Sequence, residues 1–324
     1  MGPDPPPEQS EITDKEHNRI QRVVGKILFY ARAVDPLMLP SCNAIAVART
    51  YGMKVTLDAT IHLLDYAATY PDAILTYYAS DMVLYIHSDA SYLTAPKARS
   101  RAGGHHYLGS TPTSDGRPPA DARMNAPIHT LCMVMRNVMG SAAEAEVGAL
   151  YENTQYAVQL RRTLIDLGHK QPATPVECDN TTASDIVHDK IKQKRTRAMD
   201  MRFYWVRDRQ QQGQFHIYWK PGKNNYADFS TKHHSPGHCK EWRYKYLTPP
   251  GEEVSNNVQR TYGLRGCIDN TSGPNVNDVR SGLIIQAGIN AYSAIKSLRL
   301  AFRNVLATAR NNYIVPTHIR MTLL

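Results

Sequence analysis

The chain has 324 residues, 42% of them hydrophobic, and a formal net charge of +9. This length allows one or two domains with a sizeable core. Its five cysteines lie far apart, which excludes a disulfide-scaffold design and fits a reduced, intracellular protein. The proline-rich N-terminus does not resemble a signal peptide, and no apolar run approaches the roughly 18 residues of a spanning helix. We therefore expect a soluble protein that is neither secreted nor inserted in a membrane.

The positive charge is concentrated in one region. Residues 190–245 contain fourteen Lys and Arg against four Asp and Glu, a local net charge of +10. Such a segment favours a polyanionic partner such as nucleic acid, although a solvated charged surface has the same composition.

The first quarter of the chain is predicted to be helical. Residues 1–15 have the composition of a disordered leader. Apolar residues at helical spacing then predict a helix over 16–34, which Asp35-Pro36 ends, and further helices over 42–50 and after Thr56. We expect residues 16–72 to form a helical lead-in.

The pattern changes at residue 73, where strand signals begin. Strands are predicted at 73–78, 82–87, 102–108 and 127–135, and the second is almost continuously apolar, as a central buried strand would be. The stretch 110–125 is rich in Pro, Ser, Asp and Gly and indicates an exposed loop.

Helices and strands then alternate. Ser141 is a good helix N-cap, with Glu144 as its capping-box partner, for a long helix that ends near Leu167. After it we predict, in order, a strand at 175–179, helices at 181–192 and 198–212, a strand at 214–219 and a short helix at 224–232. This order is typical of an α/β domain over residues 73–247. Residues 248–324 form an extension of unknown role, with one helical stretch at 282–308.

Four acidic residues in this domain have recognisable settings: Asp89 and Asp179 end predicted strands, and Glu146 and Asp228 lie on predicted helices. Taken singly, each has an ordinary explanation, such as a strand-end turn or an acid near a helix start. Parallel strands that end at one edge would bring Asp89 and Asp179 together, with Glu146 leaning in from a packed helix. Converging carboxylates suit magnesium, whose ligands are oxygens.

Six segments then carry a family resemblance: YIHSDASY at 85–92, SAAEAEVGAL at 141–150, CDNTTA at 178–183, KQKRTRAMDMRFYWVRD at 192–208, GQFHIYWKPG at 213–222 and ADFSTKHH at 227–234. In this order they resemble the ribonuclease H region of a copia-type LTR-retrotransposon polyprotein. Upstream, QRVVGKILFYARAVDP at 21–36 resembles the end of the reverse transcriptase in the same polyprotein. The polymerase motif Tyr-x-Asp-Asp is absent from the sequence, so we expect no DNA polymerisation by this chain.

The resemblance implies a ribonuclease H-like fold, with a five-stranded mixed sheet and helices on both faces. It also implies that Asp89, Glu146, Asp179 and Asp228 are catalytic carboxylates holding two Mg²⁺ ions, for which Mn²⁺ could substitute. Glu144 competes with Glu146, which fits the family pattern better because Val147-Gly148-Ala149 follows it. No histidine has the family's spacing before the last Asp: His216 lies too far upstream, and His233 and His234 follow Asp228.

The expected substrate is the RNA strand of an RNA–DNA hybrid, and the candidate phosphate-binding residues are Lys192, Lys194, Arg195, Arg197 and Arg202. The reverse transcriptase part of the parent polyprotein is an expected partner. The expected location is the cytoplasm, in a virus-like particle, or the nucleus.

Three alternatives remain open. The chain could be a catalytically inactive, nucleic-acid-binding remnant of such a polyprotein. An integrase or transposase of the same fold would use the order Asp, Asp, Glu, whereas here Glu146 precedes the last two Asp. The segment 233–239 contains His and Cys, but its spacing matches no standard zinc site.

Overall fold

A computed structural model of the chain describes residues 11–49, 52–71, 73–188 and 201–248. Three helices come first: α1 (Asp14–Ala33), α2 (Leu39–Ala48) and α3 (Lys54–Thr69). The strands β1 (Val83–Ala95), β2 (Arg99–Gly109) and β3 (His129–Val134) follow. After them the elements are α4 (Ala142–Asp166), β4 (Thr174–Cys178), α5 (Thr181–Val187), α6 (Met201–Gln211), β5 (Phe215–Trp219) and α7 (Pro236–Tyr246).

The five strands form one mixed sheet in the order β3-β2-β1-β4-β5. The first three strands are antiparallel neighbours, whereas β4 is parallel to both β1 and β5. This topology, with helices packed on the sheet, confirms the predicted ribonuclease H-like fold.

The two faces of the sheet have different cores. One face is aliphatic, where Leu84, Ile86 and Val176 pack with Leu150 of α4 and Val206 of α6. Because successive strand residues point to opposite faces, the residues between them line the other face. That face is aromatic: the His105 ring lies 5.5 Å from the Tyr246 ring of α7. Helices therefore cover both faces, as the resemblance implied.

The first helix begins two residues earlier than predicted. Helix α1 begins at Asp14, because Thr13 is its N-cap and forms a capping box with Glu16. Residues 1–10 lie outside the described part. Further along, the buried carboxylate of Asp35 pairs with Arg243 of α7 at 2.9 Å, which joins the end of α1 to the last described helix.

Two predicted elements are wrong. Residues 73–78 are not a strand, because their backbone meets isolated partners instead of a neighbouring strand: the Tyr78 amide donates to the Asn125 side chain at 2.7 Å. Residues 224–232 are not one helix but part of two 3₁₀ turns, Gly222–Asn224 and Asp228–Ser230. The predicted helix at 282–308 lies outside the described residues.

The chain divides into two compact units. Of the described residues, one unit contains 11–49, 52–63, 74–188 and 201–248, and therefore the whole sheet, and the other contains 64–71 and 73. The predicted boundaries at 72/73 and 247/248 stay predictions. In the part of the chain that the structure describes, no helix combines the length and apolarity that crossing a membrane requires.

Candidate active site

Parallel pairing of β1 and β4 brings two of the predicted acids to one place. The pairs Ile86–Val176 and His87–Glu177 set the register, and Asp89 and Asp179 each lie two residues beyond the second pair. Asp179 directly follows β4, as predicted. Asp89 does not end its strand, because β1 continues to Ala95 in its antiparallel pairing with β2. Only the parallel part of β1 ends near Asp89, and that suffices to open the sheet edge there.

Glu146 reaches this edge from the fifth position of α4. The Ser141 hydroxyl caps this helix by accepting the Glu144 amide, as predicted. The predicted capping box is not formed, because the Glu144 carboxylate accepts the Gly140 amide at 2.7 Å instead of the Ser141 amide. Glu146 points at the sheet, where its Oε1 accepts the Ala90 amide at 3.3 Å. The geometry therefore separates the two competing glutamates: Glu146 faces the site, and Glu144 belongs to the helix start.

Asp89, Glu146 and Asp179 can each offer one oxygen atom within 4.8 Å of the others. Asp89 and Glu146 are only 2% and 6% exposed. Burial raises the pKa of both carboxyls, and neighbouring acids raise both further. Burial also raises the pKa of the half-buried Asp179. Three carboxylates this close together, two of them buried, are unfavourable when ionised unless a bound cation offsets their charge.

Glu146 provides an independent sign that a cation belongs there. Its Oε2 is buried and has no hydrogen-bond partner among the described residues. A buried carboxylate oxygen without a donor costs free energy in the isolated protein. An all-oxygen donor set with a free, buried lone pair fits a hard divalent ion such as Mg²⁺. The residues present therefore fit the predicted metal.

The segment 225–231 carries Asp228 to the same sheet edge, and hydrogen bonds of buried residues hold this segment in place. The fully buried Asn225 donates to the Ser88 carbonyl at 2.9 Å and accepts the Ala227 amide at 2.9 Å. Next to it, the Tyr226 amide donates to His87 Nδ1 at 3.1 Å. Burial lowers the pKa of His87 to about 3, so its ring is neutral and can accept this bond. The segment is thus fastened to β1 beside Asp89.

Gly103 on β2 allows the segment 225–231 to lie close to the β1–β2 hairpin. A Cβ atom at Gly103 would lie 2.4 Å from the Ala227 carbonyl oxygen and 2.7 Å from the Thr231 methyl group. Since Gly103 pairs with Asp89 across the hairpin, the space it leaves lies directly behind the site. Gly222 likewise leaves space for the Asp179 side chain, since a Cβ at Gly222 would lie 2.3 Å from Asp179 Oδ2.

Asp228 differs from the other three acids in its partner. Its Oδ1 forms an ion pair with the Lys232 ammonium, four residues further along. The neighbouring Thr231 hydroxyl donates to Asp89 Oδ2. Three of the four predicted acids therefore form a group that could hold a metal, while the fourth is paired with a lysine at its border.

Several of these positioning residues were missed by sequence reasoning. The sequence patterns above assign no role to His87, Gly103, Asn225, Thr231 or Lys232. His87, Thr231 and Lys232 lie inside the quoted segments YIHSDASY and ADFSTKHH, which was the available signal. Asn225 and Gly103 gave none, because their contacts are with residues distant in the chain.

The predicted phosphate-binding residues are mostly outside the described part, which excludes 189–200 and so Lys192, Lys194, Arg195 and Arg197. Arg202 lies at the start of α6, where its charge partly offsets the burial that raises the pKa of Glu152 on α4. Near the acids, the 41%-exposed Trp219 ends β5, and its indole N–H donates to the Asp179 carbonyl at 2.9 Å.

Two of the histidines compared above with the family's spacing, His216 and His234, contact other aromatic rings. His216 lies on β5, with its ring stacked 6.1 Å from that of Tyr218. His234 stacks on Phe229 at 4.5 Å and on His238 at 4.4 Å. Within the described ranges, residues 233–239 contribute to no group of three metal-ligating side chains, so they support no zinc site.

Comparisons with known proteins agree with the retroelement resemblance in coarse terms. The retrovirus-related Pol polyprotein from transposon TNT 1-94 of Nicotiana tabacum is 30% identical over 92 residues. The match covers 28% of this chain and only 7% of that polyprotein. No protein-family model matches the chain.

Solved ribonuclease H structures are also similar to part of the chain. The N-terminal RNase H domain of a Mycobacterium tuberculosis protein has a TM-score of 0.30 and 15% identity, covering 51% of this chain and 97% of that one. LC11-RNase H1 from compost has a TM-score of 0.32 and 14% identity, covering 46% and 93%. RNase H1 of Halobacterium salinarum NRC-1 has a TM-score of 0.24 and 14% identity, covering 45% and 90%.

Proposed function

We propose that this chain contains the ribonuclease H region of a copia-type LTR-retrotransposon polyprotein and hydrolyses the RNA strand of RNA–DNA hybrids with Mg²⁺. The observation that carries the proposal is the group of Asp89, Glu146 and Asp179 at a sheet edge, each with one oxygen within 4.8 Å of the others, together with the buried Glu146 Oε2 that has no hydrogen-bond partner among the described residues. Structural acids are normally paired with donors or cations of the protein. A buried carboxylate oxygen without such a partner is instead suited to binding a ligand such as a metal ion.

In this proposal Asp89, Glu146, Asp179 and Asp228 hold the metal. Two bound Mg²⁺ ions, or Mn²⁺ in their place, would supply the Lewis acidity that phosphodiester hydrolysis requires. The protein's part is positioning. The sheet holds Asp89 and Asp179, the capped helix α4 holds Glu146, and Asn225 anchors the segment that carries Asp228.

Burial supports the chemistry in a second way. Asp89 and Glu146 are almost inaccessible to solvent, so little water competes for their oxygens. Electrostatic interactions are stronger in such surroundings than at an open surface. The Thr231 hydroxyl bound to Asp89 Oδ2 holds that carboxylate in one orientation, so that its other oxygen can face a metal.

The substrate class follows from the charge and the resemblance. Residues 190–245 have a local net charge of +10, which suits a nucleic-acid backbone. Arg202, with Lys192, Lys194, Arg195 and Arg197, would contact phosphates. The 2′-hydroxyls in the shallow minor groove would distinguish RNA from DNA. In the parent polyprotein the reverse transcriptase would supply the hybrid.

The test is cleavage of an end-labelled RNA–DNA hybrid with Mg²⁺, alongside RNA and DNA duplexes and a reaction with EDTA. We expect cleavage of the RNA strand in the hybrid, lost with EDTA and in Asp89→Asn and Asp179→Asn. Asp166→Asn is the control, since this acid is 58% exposed at the far end of α4. Binding of the hybrid without cleavage would favour the inactive remnant, and cleavage that survives in both site variants would refute the assigned site.

A further inference from the structure

Lys232 is the charged neighbour that all four acids share. Its ammonium pairs with Asp228 Oδ1. Burial raises the pKa of Asp89, Glu146 and Asp179, and the Lys232 charge partly offsets that rise at each of them. Within the part of the chain that the structure describes, no other cation has this relation to all four.

Among the described residues, the Lys232 ammonium has one hydrogen-bond and ion-pair partner, Asp228. Lys232 is 49% exposed, whereas the Asp228 carboxylate is 23% exposed, so the pair lies at the mouth of the acidic group. A lysine has a long flexible stem, and an ion pair that is half in solvent is weak. Lys232 can therefore leave the acids at little cost, while its neighbour Thr231 remains bound to Asp89.

We propose that Lys232 is a displaceable internal cation that neutralises the acidic group when no metal is present and competes with divalent metal for it. The inference rests on the metal site of the proposed function and goes beyond it, because it assigns a residue that sets how tightly the site takes its ion. Lys232 is a positioning residue in this role, not a catalytic one.

Two effects of opposite sign follow when Lys232 loses its charge. The metal-free protein loses the cation that offsets its crowded acids, so its unfolding temperature should fall. A divalent ion no longer meets a competing positive charge, so its affinity should rise. We expect at most about fivefold, because displacing a lysine from a half-exposed ion pair costs at most about 1 kcal/mol.

The experiment is calorimetric titration of Mg²⁺ alone into the full chain, without nucleic acid, for the unmutated protein, Lys232→Met and Lys232→Gln. Lys232→Arg keeps the charge and should behave as the unmutated protein. Arg162→Met is the matched control, because it also removes a positive charge from an i, i+4 pair but lies at the far end of α4. Thermal unfolding in EDTA accompanies each titration.

Tighter Mg²⁺ binding in both uncharged variants, with a lower metal-free unfolding temperature and unchanged controls, is the expected result. Equal or weaker Mg²⁺ binding in folded Lys232→Met and Lys232→Gln would overturn the inference. A chain that fails to cut the hybrid but gains Mg²⁺ affinity in these variants would refute the proposed function and leave this inference standing. A chain that binds no Mg²⁺ in any form would overturn the inference directly.

Discussion

Substituting Glu146 by Gln should stabilise the metal-free protein while abolishing its proposed activity. Burial raises the pKa of Glu146, with Asp89 and Asp179 raising it further. The folded protein therefore binds this proton more tightly than the unfolded chain does. Its free energy of unfolding must then fall as pH rises from the ordinary glutamate pKa of about 4.3 toward the raised value. Glutamine has the same shape and carries no such penalty.

The size of the effect follows from linkage. Each pH unit in that window costs the unmutated protein at most about 1.4 kcal/mol from one group. Between pH 5 and pH 7 the upper limit is thus about 3 kcal/mol, and relaxation around the site reduces it. We expect Glu146→Gln to be more stable in EDTA by about 1–3 kcal/mol at pH 7 and by less than about 1 kcal/mol at pH 5.

The assay is urea unfolding in EDTA at both pH values, repeated with Mg²⁺. Mg²⁺ should stabilise the unmutated protein more than the variant, because binding to the folded state adds to its stability. Asp166→Asn is the control and should change stability by no more than about 0.5 kcal/mol at either pH, since its pair with Arg162 is exposed. A variant that is less stable at pH 7, or whose advantage does not depend on pH, would refute the reasoning.

Three further predictions concern how the site is positioned. Gly103→Ala should lower the free energy of unfolding by about 1–3 kcal/mol and reduce cleavage, because the added Cβ meets backbone atoms. Gly25→Ala, with open space around it in α1, should raise the free energy of unfolding by up to about 1 kcal/mol, and equal effects of both in urea unfolding would contradict this. Asn225→Ala should cost about 1–3 kcal/mol by leaving a buried carbonyl unpaired, and an unchanged urea midpoint would argue against that anchor. Trp219→Phe removes the indole N–H that donates to the Asp179 carbonyl beside the acids, so hybrid binding measured by fluorescence anisotropy should weaken; unchanged affinity would exclude a role for this hydrogen bond in binding.

Local patterns in the sequence predicted most of the regular elements. Ser141 and the following apolar spacing identified α4, and the continuous apolar run before Asp89 identified β1 as a central strand, because capping and burial patterns are recorded in neighbouring residues. The same logic failed at 73–78. That segment has strand-forming residues but no strand to pair with, and pairing partners are not a local property.

The candidate acids were selected from the sequence and its family resemblance, and parallel strand ends explained why Asp89 and Asp179 could meet. Only the tertiary structure decided which groups touch them. The approach of the segment 225–231 depends on a missing Cβ at Gly103, far away in the chain. The hydrogen bond from Thr231 to Asp89 depends on where that segment lies in the fold. Composition and periodicity determine elements and their order, whereas the electrostatics of a site depend on distances between residues that the chain brings together only on folding.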